Sequence, residues 1–361
     1  MSATQDRGMI RRDENSINIF HDKKNEAGYK RVLPGQFVIH LRSFQGGFAH
    51  STIEGITSPA YTVFGFSEPE KHDSEYWKYV FTSKSFIRRL ETVTYGIRDG
   101  RSISYEEFLT LGFVYPSKAE QKAIARYLDK LSDLITLHQR KYDKLTNVKK
   151  SMLEKMFPKN GSNVPEIRFK GFTEAWEQRK LGDIYGSIGN AFVGTATPYY
   201  AEHGHFYLES NNVKDGQINH NAEIFINDEF YEKQKDKWLH TGDMVMVQSG
   251  HVGHAAVIPE ELDNTAAHAL IMFRNPKEEI EPYFLNYEYQ TDKAKKQIEN
   301  ITTGNTIKHI LASDMQEFVV DIPKYEEQKA IAGYFCKLDH LITLHQRELE
   351  KLKNIKKSCL E

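Results

Sequence analysis

The sequence has few of the residues on which several protein classes depend. Only two cysteines, Cys336 and Cys359, occur in 361 residues, which is too few for a disulfide framework or a zinc cluster. No run of about 18 apolar residues is present, so we predict no membrane-spanning helix. Residues 1–12 are polar and lack the apolar core of a secretory signal. These absences favour a cytoplasmic protein.

Several catalytic motifs are also missing. The chain has no G-x-x-x-x-G-K-[ST] phosphate loop, no Asn/Asp-Pro-Pro-aromatic motif and no G-x-S-x-G elbow. His251, His254 and His268 form the best candidate metal cluster, but no H-E-x-x-H motif or carboxylate at ligand spacing accompanies them. We therefore expect no metal site, and we expect loop histidines that form hydrogen bonds instead.

The chain contains an internal repeat with an offset of 207 residues. Residues 120–154 and 327–361 align without a gap and are identical at 24 of 35 positions. Gly35 and Gly242 keep the same offset, although the segments between the matching stretches are much less alike. Each half is thus a variable globular part followed by a nearly constant segment. This arrangement predicts two different recognition surfaces, each carried by a copy of the same constant segment.

Each constant segment has the apolar spacing of a coiled-coil helix, with steps of three and four residues. The predicted seam consists of Ile124, Leu128, Leu131, Ile135, His138, Leu145, Ile331, Phe335, Leu338, Ile342, His345 and Leu352. Ser117 and Glu120 form an S-x-x-E capping box that begins the first helix, and Pro158 stops it. The two seam histidines are either a register-setting polar pair or partly exposed side chains bonded to neighbours.

Leu134, Leu137, Leu341 and Leu344 widen the apolar stripe beyond a two-helix seam. The extra width requires another partner, either the globular parts or a different chain.

The variable parts indicate mixed α/β (α+β) structure. Short strand-like runs occur as FVIHL, AYTVFGF, MVMVQ, AAVIP and ALIMFR, and residues 77–90 and 282–299 are each predicted to form a helix. The run SGHVGHAAVI predicts a glycine-containing hairpin loop that leads into a strand.

Four stretches together resemble the specificity subunits of type I restriction–modification systems. They are VPEIRFKGFTEAWEQRKLGDI at 164–184, GDMVMVQSGHVGHAAVI at 242–258, ITTGNTIKHI at 301–310, and the EQKAIA and LITLHQR runs of both helices. The resemblance covers essentially the whole chain. It implies two target-recognition domains, at 1–115 and 161–322, and two conserved antiparallel spacer helices, at 116–160 and 323–361.

The resemblance also implies how such a protein works. The chain would be non-catalytic and would read a bipartite site on double-stranded DNA, one half with each domain. Two methyltransferase subunits and the motor–nuclease subunits would complete the complex and supply S-adenosylmethionine, ATP and magnesium chemistry. One departure is that Met1 corresponds to Leu208 by the offset, so the first domain lacks counterparts of residues 164–207. Either the native start lies upstream, or the first domain is a truncated variant.

Candidate DNA contacts are loop residues that can neutralise phosphates or offer paired donors and acceptors to base edges. In the first half they are Gln5, Arg7, Arg42, Ser43, Gln45, Arg98 and Arg101. In the second half they are Asn211, Asn212, Lys214, Gln248, Ser249, His251, Thr303, Asn305 and Lys308. The net charge of −2 counts only mildly against DNA, because only the surface that faces DNA must be positive.

Two other functions remain open at this point. The chain is alternatively a truncated scaffold or decoy, which occupies the methyltransferase without reading DNA. A duplicated-domain enzyme is a third hypothesis, and it predicts the same catalytic residues in both halves. The sequence runs against that expectation, because the helices match while the candidate site loops differ.

Overall fold

A computed structural model describes residues 1–4, 7–14, 23–39, 47–90, 94–95, 102–103, 105–159, 161–304 and 308–361. The chain divides into two compact units. Unit 1 comprises Met1–Arg140 and His345–Glu361, and unit 2 comprises Lys141–Leu344. No described helix is both long enough and apolar enough to cross a membrane.

Unit 1 contains short strands, three short helices and parts of two long helices. The strands are β1 (Ser2–Thr4), β2 (Gly8–Ile10), β3 (Lys30–Val32), β4 (Phe37–Ile39), β5 (Phe48–His50), β6 (Gly55–Thr57), β7 (Thr62–Phe64), β8 (Thr94–Tyr95) and β9 (Ser102–Ile103). The helices are α1 (Ser74–Val80), α2 (Lys84–Leu90), α3 (Tyr105–Phe108) and the first long helix, α4 (Lys118–Lys155). Residues 23–28 form a 3₁₀ turn.

The core of unit 1 lies on an antiparallel sheet of order β5-β4-β7. Phe37 in the central strand lies opposite His50 on one side and Phe64 on the other. Because strand side chains alternate between faces, Phe37 and Ile39 share one face and pack with Phe81 in a phenylalanine-rich cluster. Helices α1 and α2 cover this face with Trp77 and Phe86.

Unit 2 contains twelve strands among its described residues. They are β10 (Glu177–Lys180), β11 (Tyr185–Asn190), β12 (Tyr200–Ala201), β13 (His205–Leu208), β14 (Val213–Lys214), β15 (Gln217–Ile218), β16 (Phe225–Ile226), β17 (Met244–Val247), β18 (Ala255–Val257), β19 (Ala266–Ala267), β20 (Leu270–Pro276) and β21 (Val319–Ile322). The helices are α5 (Leu181–Ile184), α6 (Asp228–Glu232), α7 (Pro282–Glu288), α8 (Asp292–Ile301), α9 (Ala312–Gln316) and the second long helix, α10 (Tyr325–Leu360).

Two four-stranded sheets organise unit 2. One is antiparallel with the order β11-β20-β17-β18, and the other has the order β12-β16-β13-β19 with one parallel pair, β13 and β19. Strand β17 is buried along its whole length, because Met244 and Met246 face one hydrophobic cluster while Val245 and Val247 face another. The sequence of this strand is therefore apolar at every position and does not alternate between apolar and polar residues.

The long helices pack antiparallel within each unit. In unit 1, Lys356 Nζ donates to Ser132 Oγ at 2.7 Å, and His138 meets His345 further along both helices. In unit 2, Lys149 Nζ lies 2.7 Å from Asp339 Oδ1, and the ring of Phe157 packs against that of Phe335. The predicted long helices are confirmed.

The strand predictions for FVIHL, AYTVFGF, MVMVQ, AAVIP and ALIMFR are confirmed, as is the hairpin, which is formed by β17 and β18. The prediction of one helix over 77–90 is wrong, because residues 81–83 are not helical and separate α1 from α2. There Thr82 Oγ1 donates to the carbonyl of Lys78 and Ser83 Oγ to that of Val80. Ser83 Oγ also accepts from the Phe86 N–H, which begins the second helix.

The prediction of one helix over 282–299 is wrong for a similar reason. Thr291 separates α7 from α8 with an extended backbone, and its hydroxyl accepts a hydrogen bond from the Ala294 N–H at 3.2 Å. A threonine that caps a new helix turns the chain at this point. The Thr-Asp pair at 291–292 was the local signal for this boundary.

Candidate functional site

Two loops of unit 2 are joined by backbone hydrogen bonds; we call their described residues, 248–254 together with 303–304 and 308–310, the loop pair. Gly250 N–H donates to the Lys308 carbonyl at 3.1 Å, and Ile310 N–H donates to that of Gln248 at 2.9 Å. Thr303 and His309 exchange two further bonds, of 2.9 and 2.8 Å. Candidates that are more than 50 residues apart in sequence thus lie on one surface.

Gly253 is required where the first of these loops touches helix α8. Its backbone has φ of +88°, which side chains rarely adopt. A Cβ atom placed there would lie 2.8 Å from Ile298 Cγ2. The loop therefore lies close against a buried isoleucine of α8, which fixes the position of the loop.

A hairpin beside the loop pair carries Lys214. Strands β14 and β15 are joined by Asp215 and Gly216, which both have positive φ, as a type I′ turn requires. The Asp215 N–H donates to His254 Nδ1 at 3.2 Å, which ties the hairpin to the loop 248–254. Burial lowers the pKa of His254, in agreement with a neutral ring whose Nδ1 accepts a hydrogen bond.

Asn212 corrects one sequence-based assignment, because it is buried and cannot face DNA in this structure. Its Nδ2 donates to the carbonyls of Asn219 and Asn221, and its Oδ1 accepts from the Glu209 N–H. The side chain therefore holds the base of the hairpin. The neighbouring Asn211 is exposed.

The other candidates of the second half differ in exposure. Lys214, His251, Thr303 and Lys308 are exposed, whereas Gln248 and Ser249 are half-buried in the loop pair. Asn305 lies outside the described residues. The described candidates other than Asn212 thus present two amines together with hydroxyl, amide and imidazole groups, which can serve phosphate and base-edge contacts.

The structure describes only one candidate of the first half. Arg7 is exposed, and its guanidinium donates to the Glu14 carbonyl at 3.3 Å. The remaining six candidates, Gln5, Arg42, Ser43, Gln45, Arg98 and Arg101, lie outside the described residues.

The three histidines that were considered as candidate metal ligands do not come together. His251 and His254 have ring centroids 6.5 Å apart, while His268 lies between Glu209 and the Gly194 carbonyl. Among the described residues, no group of three or more His, Cys, Asp or Glu side chains is placed to hold a metal ion.

The predicted seam residues are buried or half-buried in both units. In unit 1, Ile124, Leu128 and Leu131 pack with Leu352, and Ile135 is half-buried. In unit 2, Leu145 packs against the cluster that contains Ile331, Phe335 and Leu338, and Ile342 is half-buried. His138 and His345 face each other with their Nδ1 atoms 3.1 Å apart, so each seam histidine meets its own repeat copy.

The residues that widen the stripe remain exposed. Leu134 and Leu137 of unit 1 are 42% and 45% exposed, and Leu341 and Leu344 of unit 2 are 40% and 45% exposed. Each unit thus presents an equally exposed leucine pair at repeat-equivalent positions. The globular residues that the structure describes therefore cover neither pair.

Taken together, these features define a mixed α+β protein in which globular parts with polar loops are attached to paired long helices. Residues 173–354 match the family model described as the type I restriction modification DNA specificity domain. The match spans half of the chain, and the protein belongs to this family.

Relatives and solved structures agree with this assignment. The MjaVIII type I restriction enzyme specificity subunit of Methanocaldococcus jannaschii is 24% identical over 253 residues, which span 68% of this chain and 59% of that protein. The S subunit of a type I restriction–modification system from M. genitalium superposes with a TM-score of 0.54 at 15% identity, covering 91% of this chain and 82% of that one. A structure from work on assembly and conformational transition of a type I system gives 0.52 at 16% identity, covering 92% and 82%. The structures show a shared fold.

Proposed function

We propose that this chain is the DNA-reading subunit of a type I complex, and that the loop pair with the β14–β15 hairpin reads one half of a bipartite target. The observation that carries the proposal is the convergence of Gln248, Ser249, Thr303 and Lys308 through the backbone bonds of the loop pair. The family assignment supports DNA as the ligand.

The exposed amines and the half-buried polar groups suit different tasks. Lys214 and Lys308 would neutralise phosphates, which positions a protein without selecting sequence. Gln248 can form a bidentate pair with adenine in the major groove, a contact that discriminates between bases. Unit 1 would read the other half of the target with residues of its own.

Catalysis would belong to other subunits. In this proposal the chain has no methyltransferase, nuclease or ATPase activity, and it works in the cytoplasm. Partner subunits would bring S-adenosylmethionine, ATP and magnesium. The exposed leucine pairs would each dock one methyltransferase subunit, since two equivalent surfaces suit two equal partners.

The reading surface is tested with Lys308→Ala and Gln248→Ala in the complex with the methyltransferase. We expect Lys308→Ala to weaken binding to all DNA sequences and to lower the salt slope by about one. Gln248→Ala should change which sequence is bound, by about 1–3 kcal/mol at one base pair. Gel shifts at several salt concentrations, followed by mapping of methylated sites, measure both effects.

Lys324→Ala is the matched control. Lys324 is an exposed lysine of unit 2 that pairs with Glu174 in a different cleft. If Lys308→Ala and Gln248→Ala bind DNA as the control Lys324→Ala does, the proposed surface is contradicted. If the unaltered chain docks the methyltransferase but the complex binds no DNA, the decoy hypothesis is favoured.

The docking surfaces are tested by introducing charge. Leu134→Glu with Leu137→Glu should reduce the bound methyltransferase copies from two to one, and the same change at Leu341 and Leu344 should remove the second. Native mass spectrometry of the complex counts the copies. One copy on the unaltered chain would contradict the two-site arrangement.

A further inference from the structure

In unit 2, residues 161–190 cover the beginning of helix α10 and two strand edges. Arg168 donates from Nε and Nη2 to the two carboxylate oxygens of Glu327, at 2.6 and 2.7 Å. The Glu327 side chain is only 1% exposed. Phe169 packs against Tyr334, about two turns further along the face of α10. A buried, bidentate pair thus fixes this segment on the helix.

The same segment continues as a strand. In β10, Glu177 pairs with Ile322 and Arg179 with Val320, antiparallel to β21. Leu181 N–H donates to the Phe318 carbonyl, whereas Asp321 N–H donates to Glu288 instead. Hydrogen-bonded pairs alternate in an antiparallel ladder. The backbone N–H groups of Glu177 and Arg179 therefore point toward β21, and the backbone N–H of Gln178 points away from it. Strand β11 then pairs with β20.

Unit 1 has the counterparts of the covered surface without a described counterpart of the cover. Glu120, which corresponds to Glu327, is exposed and forms no ion pair with any described residue. Tyr127, which corresponds to Tyr334, is 51% exposed. Residues 112–115, which correspond to β21, belong to no helix or strand in the described part of the chain, and Val114 is fully exposed.

The main sheets of the two units show the same difference. The order β5-β4-β7 corresponds to β18-β17-β20 at the offset of 207, but only β20 has a further described neighbour, β11. The first four residues of β20 are buried, whereas all three residues of β7 are only half-buried. In the part of the chain that the structure describes, unit 1 thus leaves the β7 edge of its sheet and residues 112–115 without a strand partner, and Glu120 without an ion-pair partner.

From this we infer that unit 1 has a docking site for a polypeptide segment with the sequence pattern of residues 164–190. The arginine of that segment would pair with Glu120, its phenylalanine would pack on Tyr127, and its strand would pair with residues 112–115. This is strand addition to an exposed edge, in which main-chain bonds give affinity and side chains give selectivity. Glu120 would select this occupant by charge, Tyr127 by ring contact, and residues 112–115 by backbone hydrogen bonds.

The test uses a fluorescent peptide with the sequence of residues 164–190 and the full chain. We expect saturable binding by fluorescence anisotropy. Glu120→Gln should weaken it about tenfold or more, since a charge-assisted bidentate pair is lost. Glu120→Arg should recover binding with a peptide in which the residue matching Arg168 is glutamate.

Two peptides test the backbone contribution without altering the protein. N-methylation at the residue matching Arg179 removes a hydrogen bond to the docked strand, and we expect about tenfold weaker binding. N-methylation at the residue matching Gln178, whose N–H faces away, is the matched control and should leave binding unchanged.

Several outcomes would overturn this inference. They are the absence of saturable binding, equal effects of the two N-methyl peptides, or a loss of binding on Glu327→Gln rather than on Glu120→Gln. A dissociation constant that rises with chain concentration would show that a second copy already covers the surface. The result does not depend on whether the loop pair reads DNA.

Discussion

Gln121 in unit 1 and Gln328 in unit 2 occupy repeat-equivalent positions and perform the same task. Gln121 Oε1 accepts from the Asp73 N–H, at the beginning of α1, and its Nε2 donates to the Pro116 carbonyl. Gln328 Oε1 accepts from the Glu281 N–H, at the beginning of α7, and its Nε2 donates to the Pro323 carbonyl. Both glutamines are buried. The way a globular part is fastened to its long helix is thus common to both units.

The contacts about three turns further along the long helices differ between the units. In unit 2, Tyr287 and Lys149 both bond to the carboxylate of Asp339. In unit 1 the position equivalent to Asp339 is Ser132, and Lys356 donates to its hydroxyl. The carboxylate that bonds to Tyr79 is instead Asp129. The units therefore share a tyrosine and a lysine but place the acid differently, which leaves Lys356 without a direct carboxylate partner among the described residues.

The largest difference is expected at Glu327 and Glu120. Glu327→Ala leaves Arg168 buried without its partner, and we expect a loss of about 3–5 kcal/mol from the free energy of unfolding of unit 2. Glu120→Ala removes an exposed side chain and should change stability by less than about 0.5 kcal/mol. Urea unfolding with hydrogen exchange read separately in each unit measures both. Equal losses would contradict the assignment of Glu120 as unpaired.

The glutamines should give equal effects. Gln121→Ala and Gln328→Ala each leave a buried N–H and a carbonyl without their partner, and we expect a loss of about 1–3 kcal/mol in the respective unit. Hydrogen exchange of α1 in one variant and of α7 in the other provides the comparison. A loss of stability in only one unit would show that the two glutamines contribute differently to the free energy of unfolding despite their equivalent hydrogen bonds.

The smallest effect is expected at Lys356. Burial lowers the pKa of Lys356, so between its folded pKa and the ordinary lysine value the unfolded chain binds more protons. Stability from this group therefore rises with pH across that window, and Lys356→Met should abolish the rise while changing stability at neutral pH by about 0.5 kcal/mol or less. Lys149→Met, which takes a cation away from Asp339, should cost about 1–3 kcal/mol. Unfolding titrations from neutral to alkaline pH compare the two variants.

The long helices and the central strands were predictable because their signals are periodic and local. The seam through Leu128 and Phe335 repeats every three to four residues, and β17 is a continuous apolar run. The breaks at Ser83 and Thr291 were missed because hydroxyl side chains compete with the helix backbone at single positions, and the apolar period continues across them.

The site was only partly predictable for a different reason. Gln248 and Lys308 were identified as candidates by residue type, and their proximity depends on backbone bonds between distant loops. Asn212 has the chemistry of a base contact, and only its burial reveals that it supports the hairpin. The residue type indicates which groups a side chain can bind, whereas its burial decides whether a ligand can reach it.

The backbone bonds of the loop pair have an evolutionary consequence. Gly250 and Ile310 join the two loops through main-chain hydrogen bonds, and Thr303 and His309 close the second loop in the same way, so these bonds do not depend on the side chains that the loops display. We therefore expect substitutions of the exposed Lys308 to cost little in folding, whereas a side chain at position 253 would collide with Ile298. In the proposed DNA-reading role, point mutations at such positions would change the sequence that is bound while leaving the protein folded.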